Sequence, residues 1–265
     1  MTMLLSNISI VLVEPTHPGN IGAVARAMKT MGLSKLCLIN PKKFPHYEAT
    51  KRAASADDVL DNALVFDQLE MAIKDCTLVF GTSVRDREVT WPTLDPRQTA
   101  EKIAEHLMQS TANDQTAHQV AVLFGRESSG LTNAELDLCQ QQIRIPANPE
   151  YSSLNLASAV QIIAYELNMI SQTQTINGTQ SSAEQLTGNQ LRQAIASRQQ
   201  QEGHLQHLLT IIEQLDFVRN ESSTTLMRKL TRLYNKAELT IEEIQILRGL
   251  LTAIQNQLAR SENKQ

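Results

Sequence analysis

The chain has 265 residues, enough for one large domain or one medium domain plus an appendage, and its 42% hydrophobic and 20% charged residues are ordinary for a globular protein. Its formal net charge is -4, so no global positive field draws it to nucleic acid, and any RNA surface must be a local patch. Charge alone favours a small-molecule enzyme.

Strand and helix signals alternate through the first part. Apolar runs occur at Ile8 to Val13, Lys35 to Ile39, Leu64 to Phe66, Thr77 to Phe80 and Val120 to Phe124. Helical patterns separate them at Gly19 to Met31, Ser55 to Ala63, Asp67 to Lys74 and Arg97 to Gln109. Runs apolar on both faces, divided by helices, predict a parallel α/β sheet. A short strand from Gln142 to Ile145 and a helix from about Ser153 to Ile170 close this part. The polar stretch after it reads as a linker, with a boundary near residue 175. Only helices follow, near Gln190 to Leu215, Thr224 to Ala237 and Thr240 to Arg260, the last opened by a Thr240–Glu243 capping-box spacing. The expected division is therefore 1–172, a linker 173–189 and a helical extension 190–265.

Cys37, Cys76 and Cys139 form no CxxC pair, so small buried thiols are expected rather than a zinc site or a disulfide framework. The N-terminus MTMLLSNISIVLVE lacks the basic region and cleavage site of a signal peptide, and no apolar run is long enough to span a membrane. A cytoplasmic protein is the expectation.

Three stretches carry candidate chemistry. The first strand ends in a turn that opens a helix with Asn20-x-Gly22-x-x-x-Arg26. The spacing is not GxGxxG, and the second strand ends in Asn40-Pro41 rather than an acid, so a dinucleotide site is not supported. Asn20 is placed to cap the helix and Gly22 to allow close backbone approach; a capped surface helix with one solvated arginine explains the pattern as well. Phe124-Gly125-Arg126-Glu127-Ser128-Ser129-Gly130-Leu131 follows a buried strand, with neither a serine-nucleophile elbow nor a P-loop lysine. Gly125 would let a ligand approach a strand's C-terminal end, and Arg126 and Glu127 could pair. In the third, Ile145-Pro146 leads through Pro149 to Ser152-Ser153-Leu154-Asn155, small polar residues at a helix N-terminus whose N–H groups attract anions.

Taken in order, the motifs resemble those of the SpoU group of the SPOUT RNA methyltransferases, over roughly residues 5 to 170. The wording VARAMKTMGL, DPRQTAEK and NPEYSSLNLA is similar to a tRNA-modifying branch that methylates the 2′-hydroxyl of nucleotide 32 in the anticodon loop and carries a helical C-terminal extension. The resemblance implies a deep trefoil knot formed by about Gly125 to Ala157, an obligate homodimer, and S-adenosylmethionine held near the subunit interface. It assigns the cofactor to Thr82, Ser83, Val84, Gly125, Ile145, Ser152, Ser153 and Leu154. The reaction, an in-line displacement from sulfonium to oxygen, requires alignment and eased proton removal and needs no metal.

The family gives activation of the ribose hydroxyl to Arg26. An arginine stays protonated and is a poor general base, so holding the ribose or its phosphate and stabilising alkoxide charge is the physically safer role. Asn20 and Ser153 are expected to support it, and Asn155 to fix loop geometry. For Glu127 a base role competes with pairing to an arginine across the dimer interface, which is preferred. His204 and His207 share a helix face but lack a third ligand, and read as solvated surface residues. Arg85 and Arg87, followed by Trp91, are candidates for RNA contact against an ordinary surface loop. Arg228, Lys229, Arg232 and Lys236 form a basic face on a helix with Leu226, Leu230 and Leu233 as its apolar stripe; the family's RNA-docking extension favours binding. The chemistry expected is cytidine or uridine 2′-O-methylation of tRNA. The alternatives are ribosomal RNA or another tRNA position, and a non-catalytic RNA-binding protein.

Overall fold

A computed structural model describes residues 5–84, 92–108, 118–177, 194–217 and 222–262. The chain divides into two compact units, Met1–Glu184 and Gln185–Gln265.

Among its described residues the first unit is built on seven parallel strands: β1 (Ile8–Val13), β2 (Lys35–Ile39), β3 (Leu64–Phe66), β4 (Leu78–Thr82), β5 (Thr93–Leu94), β6 (Val120–Phe124) and β7 (Gln141–Ile143). Their spatial order is β3-β2-β1-β6-β4-β7-β5. The central strands are apolar on both faces because both are covered. Ile8, Ile10 and Leu12 of β1 join Val122, Phe124 and Phe80 on one side. Val11 and Val13 join Ala121, Leu123 and Val79 on the other. This period of two places successive side chains in opposite layers.

The helices are α1 (Pro18–Thr30), α2 (Tyr47–Ala53), α3 (Asp57–Asp61), α4 (Leu69–Ile73), α5 (Pro96–Met108), α6 (Asn133–Asp137) and α7 (Leu156–Asn177). Ile21, Val24 and Met28 of α1, Ile103 of α5 and Ile163 and Leu167 of α7 complete the first layer; Leu69 and Ile73 of α4 and Leu136 of α6 complete the second. α1 begins with Pro18 at its first turn, where the missing N–H costs no intrahelical bond, and the residue before it, His17, is extended.

From β1 the chain crosses to β2 on one side; from β6, the strand beside β1, it crosses past β4 to β7 on the other. The C-terminal ends of β1 and β6 therefore flank a topological switch point, where open α/β sheets form a ligand crevice.

Several boundaries differ from expectation. α2, α6 and the two-residue β5 carry too little periodicity to stand out in the sequence. α7 runs to Asn177, five residues into the expected linker. The three cysteines are buried, and burial pushes the Cys37 thiol up to about 11 and Cys76 up to about 12.

Among its described residues the second unit has α8 (Arg198–Gln214), α9 (Ser223–Ala237) and α10 (Ile241–Glu262). α8 starts at a Ser197–Gln200 capping box, and the expected start at Gln190 lies outside the described residues. Before α10, the Thr240 N–H donates to Glu243 at 2.8 Å and the Glu243 N–H to the Thr240 hydroxyl at 3.2 Å, the reciprocal cap read from the sequence. His204 is a correction. It is 2% exposed, edge-on to Tyr234 with ring centroids 4.9 Å apart, not a solvated surface residue. Leu233, expected in the apolar stripe of α9, is 61% exposed, whereas Asn235 is buried and accepts a bond from the Arg198 guanidinium at 3.0 Å. Among the described residues, no helix is long and apolar enough to cross a membrane.

Candidate active site at the switch point

Beside that switch point, beyond the ends of β4, β6 and β7, lies a cavity of about 440 Å³. Three connections wall it: the end of β4 (Thr82, Ser83, Val84), the turn after β6 (Gly125 to Gly130), and the segment that leads into α7 (Ile145, Ser152, Ser153, Leu154 and Leu156). All eight residues assigned to the cofactor by resemblance, Thr82, Ser83, Val84, Gly125, Ile145, Ser152, Ser153 and Leu154, lie in this wall. Phe124, Ser128 and Ser129 of the second stretch line it as well, beside Ile143 and Ala159, which were given no role in the sequence. Ile143 is brought there by β7 and Ala159 by α7.

Thr82 spends its hydroxyl on the carbonyl of Leu123 at 2.9 Å, tying β4 to β6. The Ser83 N–H donates to the Ile143 carbonyl at 3.1 Å, tying the same loop to β7. Gly125 has a different reason from the one its sequence position suggests. A Cβ there would lie 2.1 Å from the Gly130 carbonyl carbon and 2.2 Å from the Leu131 nitrogen. The room it leaves is taken by the chain's own turn, not by ligand.

Arg126 and Glu127 do not pair with each other. Arg126 bonds Glu14 at 2.8 Å and Glu135 at 2.9 Å, and these two carboxylates raise its pKa. Glu127 reaches across the crevice to the start of α1. Its carboxylate accepts from the Thr16 N–H at 3.1 Å, the Thr16 hydroxyl at 2.8 Å, the His17 N–H at 3.3 Å and the Asn20 amide at 3.0 Å. Burial alone would raise its pKa; the bonds from Asn20, its own backbone and Thr16 outweigh that and hold it down at about 2. A carboxylate so acidic and so fully engaged is no general base at neutral pH. Within the chain its partners are Thr16, His17 and Asn20.

Asn20 does not cap α1, because His17 holds the cap position. It joins all three motifs instead: its amide donates to Glu127, and its carbonyl oxygen accepts from the Asn155 amide at 3.4 Å. Asn155 in turn accepts from the Ala157 N–H at 2.9 Å and caps α7, the geometric role expected of it. Gly22 faces away from the cavity. A Cβ there would meet the Ala49 carbonyl oxygen at 2.0 Å, so its close approach is to α2.

Arg26 is exposed on α1 and does not line the cavity. Arg85, Arg87 and Trp91 lie outside the described residues. Arg228, Lys229, Arg232 and Lys236 all sit on α9, with Lys229 and Lys236 exposed. No cluster of three or more potential metal ligands occurs among the described residues.

Comparison with known proteins agrees with this layout. Residues 7–165 match the model of the SpoU rRNA Methylase family, and residues 199–264 match the C-terminal domain of the tRNA methyltransferase TrmJ. The chain is 44% identical over 252 residues to the tRNA (cytidine/uridine/adenosine-2′-O-)-methyltransferase TrmJ of Pseudomonas aeruginosa, covering 95% of each. It is 43% identical over 256 residues to the tRNA (cytidine/uridine-2′-O-)-methyltransferase TrmJ of Sodalis glossinidius, covering 96% of this chain and 93% of the relative. The crystal structure of TrmJ from Z. mobilis superposes with a TM-score of 0.75 at 33% identity, over 93% of this chain and 98% of that one.

Proposed function

The chain belongs to the SpoU methylase family, and within it to the TrmJ methyltransferases; from that membership we propose that it transfers a methyl group from S-adenosylmethionine to a ribose 2′-hydroxyl of tRNA, at cytidine or uridine 32 of the anticodon loop. The observation that carries this reading is one cavity walled by the second and third motifs and the end of β4, with the first motif tied to both through Asn20, in a chain that matches its relatives along almost its full length.

The cavity suits the donor. Its volume of about 440 Å³ lies within the roughly 300–1,000 Å³ usual for small-molecule sites. Its wall sets apolar Ile145, Leu154 and Leu156 beside the hydroxyls of Ser152 and Ser153, a surface for a purine and ribose with a short polar tail. When bound there, S-adenosylmethionine supplies an electrophilic methyl group on a sulfonium. The chain's own residues then have to orient the acceptor and steady its developing charge. Arg26, a fixed cation, is the residue for that task, with Ser153 supporting it at the cavity and Asn20 tying its helix to the cavity turn.

The exposure of Arg26 on a single chain favours a site completed by assembly. Ile162, Tyr165 and Met169 stand exposed along one face of α7, a spacing of three and seven residues, and favour a homodimer packed through that helix. The trefoil knot formed by about Gly125 to Ala157 is carried over with the family membership. The basic face of α9 favours tRNA docking by the helical unit.

The test is mass spectrometric mapping of tRNA methylated by the purified protein with S-adenosylmethionine. A 2′-O-methyl mark at nucleotide 32 is the expected product; methylation of ribosomal RNA with tRNA untouched would overturn the reading. Arg26→Ala is expected to abolish turnover while donor binding, measured by calorimetry, stays close to wild type. Equal loss of donor binding would remove Arg26 from its role at the acceptor.

A further inference from the structure

Glu127 stands with one end in the donor cavity's wall and the other on the helix that carries Arg26. Its carboxylate gathers the N–H groups of Thr16 and His17, the Thr16 hydroxyl and the Asn20 amide, donors that lie just before α1 and in its first turn. From Asn20 the bonds continue to Asn155 and the N–H of Ala157, at the start of α7. The turn 125–130, α1 and the rim before α7 are thus joined end to end. Asn20 and Arg26 share α1, about 9 Å apart along its axis, and α1 packs against both α2 and α7. A packed helix moves as a body, so a shift at its first turn is felt at Arg26.

We propose that Glu127 is a positioning residue that couples occupancy of the donor cavity to the setting of α1 and hence of Arg26. This rests on reading the cavity as the methyl-donor site. A donor molecule that settles the 125–130 turn must carry the carboxylate with it. The donors on α1 either follow or lose an ionic hydrogen-bond acceptor, and losing it in a half-buried site is the costlier course. The enzyme would then set its acceptor-binding helix only when loaded.

The test uses the full-length protein with S-adenosylhomocysteine as the binding probe. In the wild type, adding the probe is expected to slow amide exchange at Thr16 and His17. In Glu127→Gln that slowing is expected to vanish, with probe affinity within about threefold of wild type and kcat down about 10- to 100-fold. Asn20→Asp sets two carboxylates against each other and lowers kcat further. Adding Glu127→Gln to Asn20→Asp restores an amide facing a carboxylate, and part of the lost rate returns. The proposal is overturned if Glu127→Gln keeps wild-type kcat and probe-dependent protection. It is equally overturned if melting temperature, affinity and kcat fall together, the mark of a merely structural tie. Wild-type protein that does not bind the probe would sink the donor-site reading itself, an outcome distinct from binding without protection at Thr16 and His17.

Discussion

At the scale of single residues, His106 makes the sharpest thermodynamic prediction. It is buried in α5, 2.7 Å from the Thr77 hydroxyl, and stacked on His118 with ring centroids 4.5 Å apart. Burial first, then the neighbouring His118 and Lys102, push its pKa down to about 3 from 6.5. A depressed histidine binds its proton more readily in the unfolded chain. Its contribution to stability is therefore complete above pH 6.5 and drains away as pH falls toward 3. The acidic groups held low, Glu127 among them, begin to matter only below 4.5, so the windows separate. Urea unfolding between pH 8 and 5 is expected to show falling stability, and His106→Gln should flatten much of that slope at a cost of about 1–2 kcal/mol at the alkaline end. His204, buried in the helical unit with its pKa also lowered by burial, adds a slope of the same sign. Parallel curves for wild type and variant would show that His106 carries none of it.

At the scale of elements, Gly22 decides how closely α1 and α2 pack. Two effects of Gly22→Ala oppose each other. Helix propensity favours alanine by about 1 kcal/mol, but the new methyl would sit 2.0 Å from the backbone oxygen of Ala49, which no rotamer change can relieve. Overpacking typically costs about 1–3 kcal/mol, so the net expectation is a melting temperature lowered by several degrees; a rise would mean the helices part freely. The same pair shows what the sequence could and could not reveal. The central strands announced themselves, because ISIVLV and VAVLF are apolar on both faces and only a covered parallel strand wants that pattern. Nothing in YEATKRA marks α2, whose place is fixed by the glycine on its neighbour. The site divides in the same way. The wall of the cavity follows motif wording, since Gly125, Ile145 and Ser152 to Leu154 are motif residues. The Glu127–Asn20–Asn155 clasp joins residues 107 and 135 positions apart, and only the switch-point topology brings them together.

At the scale of the whole molecule, the net charge of -4 misleads because it sums two unlike units. Ten of the 24 basic and eight of the 28 acidic residues fall in 185–265, which leaves the helical unit at +2 and the first unit at -6. Within the helical unit the imbalance is concentrated further: Ser223–Ala237 holds four basic residues and no acid. A polyanion responds to such a local field more than to the total, because each phosphate that is neutralised releases condensed counterions. If α9 is where tRNA docks, its lysines act through that release and not through base recognition. Replacing the exposed Lys229 and Lys236 together by alanine should therefore weaken binding of different tRNAs by a similar factor. It should also reduce the slope of log affinity against log salt by about one for each lysine removed. Filter-binding titrations of several tRNAs across a salt series measure both quantities at once. An unchanged slope would move the docking surface off α9, and a loss confined to one tRNA would make these residues readers of sequence, which their long flexible chains and point charges are ill suited to be.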